Sequence, residues 1–218
     1  MIIAIDGPAA AGKGTLARRL AQHFGLAHLD TGGLYRAAAL RALDAGGDPA
    51  DAAAAEKAAK AVSAGDLDDP RLREEKVAQA ASVVAAIPAV RRALLAFQRD
   101  FARHPPGGEA GAVLDGRDIG TVICPEADAK LFVTASPEAR AARRVQELRE
   151  GGETAIYEAV LQDMRDRDAR DSQRRAAPLV PADDAFVLDT TALDADAAFA
   201  KALDFIGRRL AARPAEPS

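Results

Sequence analysis

Nine consecutive residues, Gly7-Pro8-Ala9-Ala10-Ala11-Gly12-Lys13-Gly14-Thr15, carry the densest chemical information in the chain. They fit the pattern G-x-x-x-x-G-K with a hydroxyl residue close behind. An apolar run, residues 1–5, precedes them and reads as a short buried strand. Leu16-Ala17-Arg18-Arg19-Leu20-Ala21 follows and reads as a helix. Strand, glycine loop and helix in that order form a phosphate-binding loop. Its glycines let backbone N–H groups turn inward around an anion, and the helix N-terminus adds a partial positive charge. Lys13 adds a full charge for the β- and γ-phosphates of a nucleotide. The hydroxyl stands at Thr15, one residue beyond the usual place, because Gly14 directly follows the lysine.

Three further constellations lie at positions where ligands bind in open sheets. The second apolar run leads into Leu29-Asp30-Thr31-Gly32-Gly33-Leu34-Tyr35-Arg36. That string serves either as a helix cap at Asp30 or Thr31 with a solvated Arg36, or as a polar edge that meets a ligand. The third run ends Val113-Leu114-Asp115-Gly116-Arg117-Asp118. An aspartate at the end of a strand beside a phosphate loop can hold Mg2+ through water, here Asp115, with Thr15 as the loop's own oxygen donor. Arg117 and Asp118 then face the cleft; the alternative is a plain Asp-Gly turn. The run Arg165-Asp166-Arg167-Asp168-Ala169-Arg170-Asp171-Ser172-Gln173-Arg174-Arg175 would ordinarily be a solvated helix face. Within it, Arg167, Asp171 and Arg174 fall at i, i+4 and i+7, on one face that could meet one ligand.

The elements that must hold these residues are short strands between long Ala/Leu/Arg-rich helices. Strands are expected at 2–6, 27–29, 112–115, 130–134 and 186–189. Helices are expected at 32–45, 71–86, 90–103 with Pro88 starting the turn, 137–150, 154–174 and 194–209. Ser136 with Pro137 makes a good helix start. The alternation predicts an α/β fold with a five-stranded parallel sheet covered on both faces. About eighty largely helical residues between the second and third strands exceed what a crossover needs. They read as an inserted substrate-binding subdomain, residues 32–108, and residues 137–175 around Gly151-Gly152 as a short lid. The core then comprises 1–31, 109–136 and 176–211, with 212–218 as a disordered tail.

The chain has 218 residues, 49% hydrophobic and 28% charged, with a formal net charge of −4, which fits one globular domain and argues against nucleic acid or an anionic membrane as partner. Cys124, the single cysteine, reads as a small buried apolar residue. Met1 leads straight into the first strand and no apolar run approaches a membrane span, so a cytoplasmic location is expected.

The Gly-Lys-Gly-Thr loop resembles that of the small nucleoside-monophosphate kinases. Together with residues 29–36, Ala-Ala-Ser-Val-Val-Ala-Ala-Ile-Pro-Ala-Val-Arg at 80–91, Asp-Gly-Arg-Asp-Ile-Gly-Thr-Val at 115–122, Arg-Asp-Ala-Arg-Asp-Ser-Gln-Arg at 167–174 and Ala-Pro-Leu-Val-Pro-Ala-Asp at 177–183, it makes most of the chain similar to the bacterial-type cytidylate kinase family. The resemblance implies a three-layer P-loop fold and transfer of the ATP γ-phosphoryl group to CMP or dCMP with Mg2+, in a monomer. It implies that residues 7–15 hold ATP and that Ser82, Arg91 and Asp118 read cytosine. Arg167 and Asp171 match the positions that hold the sugar, and Arg36, Arg117 and Arg174 those that clamp the monophosphate. Thr31 stands in the same acceptor region, where a serine is usual. Lys13, Arg117 and Arg174, with Arg140 and Arg143 on the lid helix, would neutralise the transferring group.

One departure stands out. Family members of this type commonly carry a small stranded insertion before the Ala-Ala-Ser segment. Here it is reduced to residues 64–71. Four rival readings remain, one of them a non-catalytic nucleotide-binding module. A kinase for a hydroxyl acceptor such as shikimate would need a base, and Asp115 or Asp118 could serve. An adenylate kinase would share the loop but not the Asp-Gly-Arg-Asp string. A GTP-binding switch would read guanine with Asn-Lys-x-Asp, but the chain contains no asparagine.

Overall fold

A computed structural model of the protein describes residues 1–174 and 176–212. Arg175 and all but the first residue of the predicted tail lie outside the described residues. Five strands form one parallel sheet: β1 (Ile2–Asp6), β2 (Ala27–Asp30), β3 (Ala112–Gly116), β4 (Ala129–Thr134) and β5 (Phe186–Asp189). Their spatial order is β2-β3-β1-β4-β5, so β1 is central and the loop after it opens between β3 and β4. All five lie within two residues of the predicted spans. The register sets Ile5 opposite Asp115, and Asp30 opposite Asp115 on the other side.

Strand periodicity divides the core between the two faces. Ile3, Ile5, Val113, Leu131 and Val133 pack against α1 (Lys13–Phe24) and, towards the C-terminus, α8 (Ala195–Ala211). Ala4, Leu29 and Leu114 pack on the other face against α2 (Thr31–Asp44), α4 (Glu75–Val84) and α5 (Pro88–Arg103). Helix starts follow their caps. Asp30 accepts the Gly33 amide at 3.3 Å at the head of α2, and Ser136 accepts the Ala139 amide at 3.1 Å at the head of α6 (Pro137–Glu150). The α6–α7 pair, with α7 at Tyr157–Gln173, has its own small cluster of Val145, Leu148 and Ala155. No single helix among the described residues is long and apolar enough to cross a membrane.

Two expectations are corrected. The segment expected as one helix, 71–86, is a 3₁₀ turn, Pro70–Arg73, followed by α4, because Asp69 caps the turn at Pro70 and Glu74 is extended. The helix expected at 154–174 begins at Tyr157 and ends at Gln173, so Arg174 has left the helix with extended backbone. The alanine run near 52 forms α3 (Ala52–Lys60), capped by the Asp51 carboxylate on the Ala53 and Ala54 amides. Residues Ile119–Ile123 form a π-helical turn. The shortened insertion is two 3₁₀ turns, the first held by Asp66, which accepts from Ser63 and, in fork fashion at 3.1 Å twice, from Arg41.

Candidate functional site

The loop from Gly7 to Thr15 is shaped by backbone that few residue types adopt. Gly7 has φ of +145°, and a Cβ there would lie 1.9 Å from the Val133 carbonyl oxygen of β4. Gly12, with φ of +90°, caps α1. Lys13 is buried and folds over the loop to donate to the Pro8 carbonyl at 2.6 Å. Burial, with Arg117 second, pushes its ammonium down to about 7. A cavity of about 340 Å³ opens beside the loop between α6 and the start of α8, lined among others by Ala10, Gly12, Thr15, Arg143, Thr190 and Asp194. A larger hollow of about 690 Å³ runs along α5 beside Arg92, Arg99 and Arg103 and holds none of the predicted site residues.

On the carboxyl side of β3 a second, strongly charged group assembles. Arg91 from α5 forms a short ion pair with Asp118, donates to the Ala85 carbonyl at 3.2 Å, and lies over the Tyr35 ring. Arg117 donates to Asp171 of α7 at 2.8 Å. Arg174 stands 3.8 Å from the other Asp171 oxygen and donates to the Ala177 carbonyl at 2.7 Å. Burial works to raise the Asp171 carboxyl, but Arg117, Arg174 and Arg167 outweigh it and hold it below the ordinary carboxylate range. Burial, then Arg117, pushes the Arg167 guanidinium down to about 10. Burial, then Arg91, depresses Arg174 as well.

Several predicted residues are thus brought together and some are already engaged. Asp30 does both things its sequence allowed: it caps α2, and it accepts from Arg36 at 2.5 Å. Thr31 donates to the Asp115 carbonyl at 2.8 Å, which fixes the start of α2 against β3. The Asp115 carboxylate is buried beside His28, 2.8 Å away, and lies in the field of Lys13. Thr15 and Asp115 are oxygen donors of the kind Mg2+ takes while keeping its waters. Arg140 is buried in four hydrogen bonds, to Ala135, to Ala9 of the loop and twice to Asp168. Arg143 is bonded to the Thr190 hydroxyl at 3.0 Å and carbonyl at 2.5 Å. Cys124 is buried and its thiol is pushed up to about 11 by burial, as an inert core residue should be.

The sequence reading missed Asp6, His28 and Thr190. Asp6 closes β1, and its carboxylate accepts two amides of the π-turn. A charged residue ending an otherwise apolar strand was the available signal. Among the described residues only four buried side-chain polar atoms lack a partner: Ser82 Oγ, Thr121 Oγ1, Arg167 Nε and Arg174 Nε. Buried polar groups are ordinarily paired, so such atoms ask for an explanation.

Comparison with known proteins gives one answer. The family model for cytidylate kinase matches residues 3–208. A cytidylate kinase of Paramagnetospirillum magneticum is 65% identical over 95% of this chain and 98% of its own length. One of Methylocella silvestris is 65% identical over 93% and 92%. Among solved structures, an uncharacterized protein from Eubacterium ventriosum shares the fold at a TM-score of 0.54 and 17% identity, covering 95% of this chain and 98% of that one.

Proposed function

The chain belongs to the cytidylate kinase family, and we propose that the Arg91–Asp118–Arg117–Asp171–Arg174 cluster is where its acceptor nucleotide sits. It is a nucleoside-monophosphate kinase of pyrimidine metabolism: it transfers the γ-phosphoryl group of ATP to CMP or dCMP and yields ADP and the diphosphate. The single observation that carries the site assignment is the set of unpartnered buried atoms. Three of the four, on Ser82, Arg167 and Arg174, belong to residues assigned to the acceptor. A group that is costly to bury unpaired is retained where a ligand completes it.

Charge supports the same reading. Arg91, Arg117, Arg167 and Arg174 face two carboxylates, Asp118 and Asp171. The two uncompensated cations match the charge of one monophosphate, about −1.5 to −2 near neutral pH. Arg36, released from Asp30 or shared with it, and Arg117 and Arg174 would clamp that phosphate. Asp118 would accept from the cytosine amine, Arg91 would donate to N3 and O2, and Ser82 would complete the base edge. Arg167 and Asp171 would hold the sugar, and Thr31 braces the floor beneath it.

The donor would lie along Gly7–Thr15, with its nucleoside in the 340 Å³ cavity. Arg143, in the wall of that cavity, and Arg140, bonded to Ala9, are the lid-side cations on the donor side. We propose Mg2+ held by Thr15 and, through water, by Asp115; bound there it would neutralise charge between the β- and γ-phosphates. No general base is needed, because the nucleophile is an already ionised phosphate oxygen of CMP. That oxygen forms its bond to the γ-phosphorus as the bond to the β-bridging oxygen breaks. Repulsion between the two anions is the obstacle, and positioning and charge neutralisation by Lys13 and the arginines overcome it.

The test is ADP formation from ATP and Mg2+ with CMP, dCMP, UMP, AMP, GMP and shikimate in parallel. Fast turnover is expected with CMP and dCMP alone. Silence with both would overturn the assignment.

Lys13 gives a second expected result. In the free protein its ammonium is pushed down to about 7, chiefly by burial. A phosphate beside it favours the charged form, so binding takes up a proton wherever the free lysine is deprotonated. Affinity for ADP should therefore fall as pH rises above about 7, the value set by burial of Lys13. At pH 8, where the nucleotide is almost fully ionised, calorimetry in buffers of different ionisation enthalpy should find a net uptake of about half a proton or more. Lys13→Met should abolish the uptake; an unchanged uptake in that variant would assign it elsewhere.

A further inference from the structure

Asp6 is the last residue of β1, and Gly7, the first residue of the phosphate loop, follows it directly. Its carboxylate is 4% exposed. Oδ1 accepts the Ile119 amide at 2.7 Å and Oδ2 accepts the Gly120 amide at 2.8 Å. These are the first two amides of the π-turn, whose own bonds run from Val122 and Ile123 back to the Asp118 carbonyl and from Cys124 back to Ile119. A turn of this kind leaves its leading amides without an internal acceptor, and Asp6 supplies both. A Cβ on Gly120 would crowd Lys130 Cδ at 3.1 Å and would meet Asp6 Oδ2 at 3.4 Å, an ordinary contact. Lys130 in turn reaches Asp184 at 2.8 Å.

The consequence concerns Asp118, immediately before this turn. Its side chain is held by Arg91, which belongs to the inserted helices. Its backbone is tied to the central strand only a residue away, by Asp6. Both Asp6 oxygens are engaged by backbone amides of the turn. We propose that Asp6 is a positioning residue for acceptor selectivity, fixing the base-reading carboxylate of Asp118 in place relative to the phosphate loop. The proposal rests on the reading of Asp118 given above. It adds that selectivity is set in the core, at the end of β1, as well as by Arg91.

Asp6→Asn keeps the shape but turns an amine toward one of the two amides, breaking half of the clamp. The ratio of kcat/KM for CMP over UMP is expected to fall tenfold or more, chiefly through a raised KM for CMP. Affinity for ADP by calorimetry should change less than threefold. A merely structural role would lower both nucleotides by one factor, and an equal loss overturns the proposal. Gly120→Ala, whose Cβ crowds Lys130 Cδ at 3.1 Å and so displaces the Gly120 amide from Asp6 without altering the charge, should shift the ratio in the same direction, and it decides the matter where D6N fails to fold. Asp118→Ala separates the two layers. An unchanged ratio in D118A removes the base-reading assignment itself. A collapsed ratio in D118A with an unchanged ratio in D6N removes only the role of Asp6.

Discussion

Alanine at position 174 should lower kcat/KM by about 10³ or more, and by nearly the same factor for CMP, dCMP and UMP. Arg174 is only loosely committed within its cluster. Its side chain is 5% exposed, its Nε has no partner, and its pairing with Asp171 is a loose 3.8 Å. A guanidinium kept dry and incompletely bonded is costly unless an anion completes it. The anion common to all three substrates is the monophosphate, so its loss should not discriminate between bases. Arg174→Lys keeps the charge but not the fork, and should recover only part of the activity. The thermal midpoint should fall little or rise in R174A, because burial and the repulsion of Arg91 and Arg117 outweigh the attraction of Asp171 and Asp118 for this guanidinium in the free protein. A loss below tenfold, or one confined to CMP, would remove Arg174 from the phosphate clamp.

That two-sided behaviour explains which parts of the molecule were legible from residue types and spacing. The strands were plain because each is a short apolar run bounded by turn residues, and helices opened where Asp or Ser capped them. Spacing puts Arg167, Asp171 and Arg174 on one helix face, but the helix ends at Gln173, before Arg174. Arg174 sits in extended backbone and still returns to Asp171. What pattern could not supply was pairing across the sheet. Nothing local to Asp6 says that its partners are amides more than a hundred residues away, and nothing local to His28 says that it meets Asp115. Such contacts are set by strand order, with β3 between β2 and β1. The lid arginines show the same limit. Spacing placed Arg140 and Arg143 on one helix, but only the fold reveals that Arg140 is spent on Ala135, Ala9 and Asp168, and Arg143 on Thr190. The shortened insertion was visible as a gap. Its replacement by two 3₁₀ turns, with Leu72 buried among Ala37, Leu40 and Val77, was not.

Asp118 should behave unlike Arg174. Asp118→Ala removes the acceptor for the cytosine amine and also strips Arg91 of its buried partner, so CMP should lose about 3–4 kcal/mol of transition-state binding, roughly 10² to 10³ in kcat/KM. UMP presents an oxygen where CMP presents that amine, and against the wild-type carboxylate two acceptors face each other. UMP should therefore lose much less, and the CMP-over-UMP ratio should collapse by about 10². Asp118→Asn sharpens the argument. Its amide can turn either its oxygen or its amine toward the base, so it can donate to uracil where aspartate cannot. Its kcat/KM for UMP should rise above that of the wild type while that for CMP falls, a crossing that no loss of stability can imitate. The Arg91–Asp118 pair is short and buried in the free protein, and CMP must compete with it for the same carboxylate. Under this assignment base recognition would be an exchange within a preformed pair. Parallel losses for CMP and UMP in both variants would mean that Asp118 only holds Arg91 in place, and the reading of cytosine would pass to Arg91 and Ser82.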